Sequence, residues 1–142
     1  MTIKVHVSNG DLLDRISILE IKLNKITDEA KKKNIEREFS FLVESVKVQG
    51  ETTLLSWLRS EEYNRLLEVN FSLWEIEDQI RAKEAKQEFD DEFIHLARSV
   101  YLVNDERAAI KREINMETKS LLIEEKEYVD YSRAKCDEKS SN

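Results

Sequence analysis

Nine residues able to carry charge or direct hydrogen bonds fall on helical faces that are otherwise apolar: Glu20, Asn70, Glu77, Arg81, Glu84, Asn104, Arg107, Lys111 and Asn115. A helix turns about 100° per residue, so each can be placed on a wheel. With Leu66 at zero, Leu73, Trp74 and Ile80 centre an apolar arc near about +20°, and Asn70, Glu77, Arg81 and Glu84 all fall within about 40° of that centre. With Phe93 at zero, Ala97, Val100 and Tyr101 define a second arc. Asn104, Arg107, Lys111 and Asn115 lie within about 40° of it. Glu20 sits between Leu13 and Ile16 on the apolar side of an earlier helix. Arg and Lys at such positions can hold an anionic or hydroxylated ligand, Asn can orient it, and a Glu can move a proton. The same set can also close on itself, with Glu20, Glu77 and Glu84 against Arg81, Arg107 and Lys111 and the asparagines completing the hydrogen bonds. A desolvated charge costs several kcal/mol, so either a ligand or a mutual network is required.

Other constellations are sparser. Glu75-x-x-Asp78 has the spacing of the acidic helix motif with which all-helical nucleoside triphosphate pyrophosphohydrolases hold magnesium, which makes a pyrophosphohydrolase a lesser alternative. Glu75, however, falls about 180° from the apolar arc, and no second acidic pair aligns with it. His6 and His95 have no Cys, His or carboxylate neighbours at metal-ligand spacing, so no metal is expected. Glycine-rich phosphate loops, GxSxG elbows and Cys–His pairings are absent, and no cofactor is expected.

The elements that must position these residues are helices. The 142-residue chain has no proline and two glycines, Gly10 and Gly50, too few turn formers for a many-stranded sheet, while Glu and Lys favour helix. Alternation of Ile3, Val5 and Val7 with Lys4 and His6 predicts a short, half-buried extended segment. Ser8 and Asp11 then begin a first helix over about 10–27, carried by Leu12, Ile16, Leu19, Leu23 and Ile26. A second helix, with Ile35, Phe39, Leu42, Val43 and Val46, stops before Gly50 and forms a hairpin with the first. A third helical region opens at Leu54, Leu55, Trp57 and Leu58 and reaches about Glu88. The fourth starts near Asp90-Asp91 and runs to Asn115. The expected fold is all-α, an antiparallel bundle of about four helices, with residues 1–128 as one domain and 129–142 as a polar, disordered tail.

Charge and cysteine usage narrow the partners. Thirty acidic against 23 basic residues give a net charge of −7, which works against nucleic acid and anionic membranes; Lys31, Lys32 and Lys33 read as a solvated face. No apolar run approaches the roughly 20 residues that span a bilayer. The single Cys136 lies in the polar tail and fits a reducing compartment, so a cytoplasmic location is expected. The Leu54–Leu58 cluster suits core or a dimer contact, and a homodimer is expected because few long helices rarely cover their own apolar faces.

The blocks GDLLDRISILEIKLNKI at 10–26, VNFSLWEIEDQIRAKE at 69–84, FIHLARSVYLVNDERAAIKREIN at 93–115 and LIEEKEY at 122–128 resemble a domain-of-unknown-function family of short helical proteins from bacteria and phages. The resemblance implies that the polar motif positions include eight of the nine inward residues, all but Glu84, together with Glu124, Glu125 and Lys126. It carries no activity. The occurrence of some relatives beside genes for surface-sugar synthesis implies a nucleotide or sugar derivative as the ligand class. The segment Val46–Glu61 departs from the family pattern.

Overall fold

A computed structural model describes residues 1–48 and 54–131. The anticipated stop at Gly50, Cys136 and most of the anticipated tail lie outside the described residues. Four α-helices and one 3₁₀ turn account for the regular structure: α1 (Asn9–Lys25), α2 (Glu29–Val48), the 3₁₀ turn (Leu54–Arg59), α3 (Glu61–Ala85) and α4 (Asp91–Glu117).

Each helix begins where its sequence supplies a cap. The Ser8 hydroxyl accepts from the Asp11 N–H, Ser60 from Tyr63, and the Asp90 carboxylate from Phe93, satisfying first-turn donors that no helix can satisfy internally. Ser60 also explains why the third helical region is broken. Its Oγ caps α3 while donating to the Trp57 carbonyl at 2.7 Å, ending the 3₁₀ turn one residue before α3 starts. The turn between α3 and α4 places Gln87 in the left-handed region at φ 56°. Lys83 Nζ braces that turn, 2.8 Å from Asp90 and 2.9 Å from Glu92.

The core sits at one end of the α3–α4 hairpin. Leu13, Ile16, Leu66 and Ile114 are essentially inaccessible, joined by Val46, Leu54, Tyr63 and Ile110, and Trp57 and Leu58 pack against this cluster. Each fully buried aliphatic side chain contributes roughly 1.5–3 kcal/mol. α1 lies across the base of the hairpin and touches both α3 and α4, while α2 packs on α1 and the 3₁₀ turn. Lys25, the last residue of α1, reaches Glu75 at 2.8 Å and lies over the Phe71 ring. From Phe71 through His95 no residue is buried, so the far half of the hairpin projects as a two-helix stalk.

One expectation changes. Residues 3–7 form no strand and are not half-buried as a segment: Ile3 is 84% and Val5 70% exposed. A lone extended segment has no neighbour to pair its N–H and C=O groups, and alternation cannot supply one. The residues after α4 are not helical, and 121–130 are all exposed.

Candidate functional site

The site grows from α1. Gly10, Asp14, Ser17 and Ile21 follow one another at helical spacing, and all four are buried against α3 and α4. Gly10 is required where α1 crosses α4. A Cβ there would stand 2.4 Å from the Lys111 carbonyl oxygen and 2.9 Å from Asn115 Oδ1. The bare backbone instead lets the Gly10 N–H donate to Asn115 Oδ1 at 2.6 Å, capping the α1 N-terminus with a residue 105 positions away. The neighbouring Asn9 N–H donates to Ser120 Oγ, and the Asn9 side chain to Thr118.

One turn on, the Asp14 carboxylate is 1% exposed and is the most deeply buried charge among the described residues. Arg107 on α4 grips it with two bonds, Nε to Oδ1 at 2.9 Å and Nη2 to Oδ2 at 2.5 Å. Asn70 on α3 donates to the same Oδ1 at 2.9 Å and to Ser17 Oγ at 2.8 Å, and the Ser17 hydroxyl donates to the Asp14 carbonyl. Three helices thus meet on one carboxylate. The hydrogen bond from Arg107 to Asp14 raises the guanidinium pKa above its ordinary value despite the opposing effect of burial. The two-pronged geometry is the strong form of such a pair.

Lys111 lies next along α4 and is 8% exposed. Its ammonium reaches Asp11 at 3.3 Å and Glu124, from the segment after α4, at 2.8 Å. Burial lowers its pKa, but the Glu124 hydrogen bond and the charges of Asp14, Asp11 and Glu124 outweigh this, and the net shift is upward. Arg112 pairs with Glu125 at 3.1 Å. Between α4 and this segment runs a solvent-open groove of about 190 Å³, lined by Lys111, Arg112, Asn115, Glu124, Glu125 and Lys126 among others.

Of the nine residues singled out from sequence, Asn70, Arg107, Lys111 and Asn115 gather here. Glu20 is half-buried at the edge and accepts from the Tyr63 hydroxyl at 2.7 Å; burial, then this bond, raises the Tyr63 pKa. The other four do not join. Glu77 and Arg81 pair with each other at 3.3 Å on the stalk, with the Arg81 side chain 76% exposed, and Glu84 is exposed. Asn104 is half-buried and makes no side-chain hydrogen bond to another described residue. The expectation that all nine converge at one end of a bundle is therefore corrected. The α3 arc past Glu75 runs beyond the reach of α1, and none of its residues is buried by the described part of the chain.

Sequence reasoning missed Asp14, Ser17, Gly10 and Asp11. The usable signal was the 10-14-17-21 stripe, in which a glycine and an aliphatic bracket two polar residues on one face. In the Glu75-x-x-Asp78 pair, Glu75 is engaged by Lys25 and Asp78 is exposed. Among the described residues, the group of three carboxylates whose oxygens lie within 4.8 Å of one another is Glu62, Glu113 and Glu117, and Arg65 already holds Glu113 at 2.7 Å.

Fold and site together define an all-helical protein in which three helices are tied by a buried carboxylate–guanidinium–amide cluster. The chain belongs to DUF6165, a family of unknown function, whose model matches residues 3–137. No curated protein and no solved structure matches it.

Proposed function

We propose that the protein is a non-catalytic helical scaffold: the Asp14 cluster fixes the register of α1, α3 and α4, and the α3–α4 stalk is the surface through which two copies associate. The observation that carries this reading is that the cluster is closed. Every buried side-chain nitrogen and oxygen among the described residues has a hydrogen-bond partner. Asp14 is held by Arg107 and Asn70 at once and has no solvent-facing side from which to accept a substrate proton. Buried ionic groups of this kind are best attested as devices that set register.

The stalk supports the second half of the reading. Phe71, Phe89 and Ile94 are each about half exposed, and Leu73, Trp74 and Ile80 are only partly covered. Two helices alone leave most of their apolar stripe in water, and helical stability in proteins comes largely from covering that stripe. The stalk also carries both signs of charge in close alternation, Glu77, Arg81 and Glu84. A twofold contact sets each residue against the same patch on the other copy, so such a surface is self-complementary. Among the described residues no helix is long and apolar enough to cross a membrane.

Light scattering on the eluting full-length protein tests the reading, with Ile94→Lys as the probe because Ile94 is 53% exposed and outside the core. The wild type should run as a dimer, and the variant as a monomer with unchanged helical circular dichroism. A wild type that is monomeric at every concentration, or a variant that stays dimeric, sinks the association half.

A further inference from the structure

The segment 118–131 is laid along α4 as an extended strap running back toward the stalk. Glu124 meets Lys111, Glu125 meets Arg112, and the Tyr131 hydroxyl donates to Asp105 while its ring stands edge-on to Tyr101. Between its ends the strap is thinly anchored: Leu121 is 97%, Tyr128 71% and Val129 90% exposed, while Leu122 and Ile123 are partly covered at 43% and 40%. The Arg112–Glu125 pair is exposed and of the kind that stabilises weakly and is screened by salt, whereas Lys111–Glu124, with the Lys111 side chain 10% exposed, is the firmer tie. Holding an extended backbone in one conformation opposes them.

The surface under the strap is different in kind, because it is part of the folded base. Lys111 is held on α4 with its side chain 10% exposed, Arg112 follows it at the surface, and Arg15 shares Asp11 with it. Against these three cations the base itself sets the Asp11 carboxylate, because Arg107 is already paired with Asp14. Glu124 and Glu125 of the strap pair with Lys111 and Arg112 one for one, with Lys126 3.7 Å from Glu124. Lifting the strap leaves Lys111 and Arg112 on a locally positive face of α4, beside Asn115 and walled by Ala108 and Ala109, on a protein of net charge −7. The small side chains on that wall leave room for a ligand at the helix surface.

From this arrangement we infer that Lys111 and Arg112 form a binding site for a small molecule bearing two adjacent anionic groups, of the diphosphate class, and that Glu124 and Glu125 are its built-in competitors. Two cations on consecutive residues match two linked anions, as the strap already shows with two consecutive carboxylates. Arg112 offers a planar fork suited to phosphate oxygens and Lys111 a point charge. Occupancy expels the strap, so the site reports the ligand as release of residues 121–131. This inference does not depend on the scaffold reading. It concerns the Lys111–Arg112 turn of α4 and the strap over it, one helical turn on from the closed Asp14 cluster.

Inorganic pyrophosphate at constant ionic strength is the probe, followed by calorimetry and by backbone NMR of the strap in the full-length protein. The test variant is Glu124→Gln with Glu125→Gln, both exposed in the described structure. Removing an internal competitor should tighten binding about tenfold, because a ligand otherwise meets only the fraction of molecules with the strap open. Adding Arg112→Gln, also at an exposed position, should abolish it. In the wild type, pyrophosphate should shift the amide signals of 122–128 toward those of the double variant, and citrate, which carries a similar charge near neutral pH, should do so less. Pyrophosphate affinity that is unchanged by the double variant, or that survives Arg112→Gln, overturns the inference. Binding in the double variant with no strap response in the wild type also overturns it.

Discussion

Replacing Arg107 with Met should unfold the base of the protein more readily than any other single change to a partly exposed residue. The perturbation removes two hydrogen bonds and the compensating charge from an Asp14 carboxylate that is 1% exposed, leaving Asn70 as its one side-chain donor. Breaking a buried pair from one side costs about 3–5 kcal/mol, because a charge is left without a counterion. The Arg107 side chain retains 28% of its exposure, so water can enter the vacated space and the lower end applies, about 3 kcal/mol. For a domain of this length, each kcal/mol moves Tm by roughly 4 °C, giving a drop of about 12 °C. Urea unfolding followed by circular dichroism, at one fixed protein concentration because association would add to apparent stability, measures the loss directly. The companion variant Asp14→Leu with Arg107→Met removes both charges. It should be more stable than Arg107→Met alone, with a coupling of about 2 kcal/mol, since an apolar pair leaves nothing unpaired. A single variant within about 1 kcal/mol of wild type, or a double variant whose losses simply add, would refute the claim that Asp14 and Arg107 are the tie between α1 and α4.

Two further outcomes follow from the same geometry. Gly10→Ala should destabilise by about 3 kcal/mol, the upper part of the range for overpacking, because its Cβ meets the backbone of α4 rather than a movable side chain; a Tm within about 2 °C of wild type would show that α1 can shift on α4 at little cost. Strap docking should depend on pH at both extremes. The Lys111 hydrogen bond holds Glu124 below its ordinary 4.5, so its contribution is complete above that value and fades as pH falls through the lowered one. Tyr131 is pushed up to about 12, first by its bond to Asp105, so its tie is intact below the ordinary 10.0 and is lost as pH rises through about 12. Backbone NMR shifts of 122–131 should therefore be flat from about pH 5 to 10 and change outside it; a transition near neutrality would point to a different anchor.

Much of the fold was legible in the chain. Ser8 and Asp90 marked helix starts because capping is a local bond between a side chain and an N–H three residues on, and apolar spacing marked the faces; the Ser60 cap, which divides the third helical region, was found only in the structure. Asn70, Arg107, Lys111 and Asn115 were legible because a polar residue inside an apolar arc must find a partner when that arc is covered. The same rule applied to Glu77, Arg81 and Glu84 gave an inward set that the single chain leaves at the surface. Periodicity tells which side of a helix is apolar; it carries no information on how far a neighbouring helix extends to cover it.

Sequence alone therefore determined the helical class, the starts of α1 and α4, and four of the polar groups that had to be matched, Asn70, Arg107, Lys111 and Asn115. Only the tertiary structure decided the matches. Asp14 became the centre because Gly10 lets α1 sit on the α4 backbone, and that contact brings residues 93 positions apart in the chain within hydrogen-bond distance. α1 ends near Glu75, so part of the α3 arc went to the core and the rest to the stalk. The acidic LIEEKEY run gained a counterpart on α4 through the turn after Glu117, where Lys119 adopts φ 53° and the chain turns back along the helix it has just left. Each of these depends on contacts between residues far apart in the chain, and local spacing does not encode those distances.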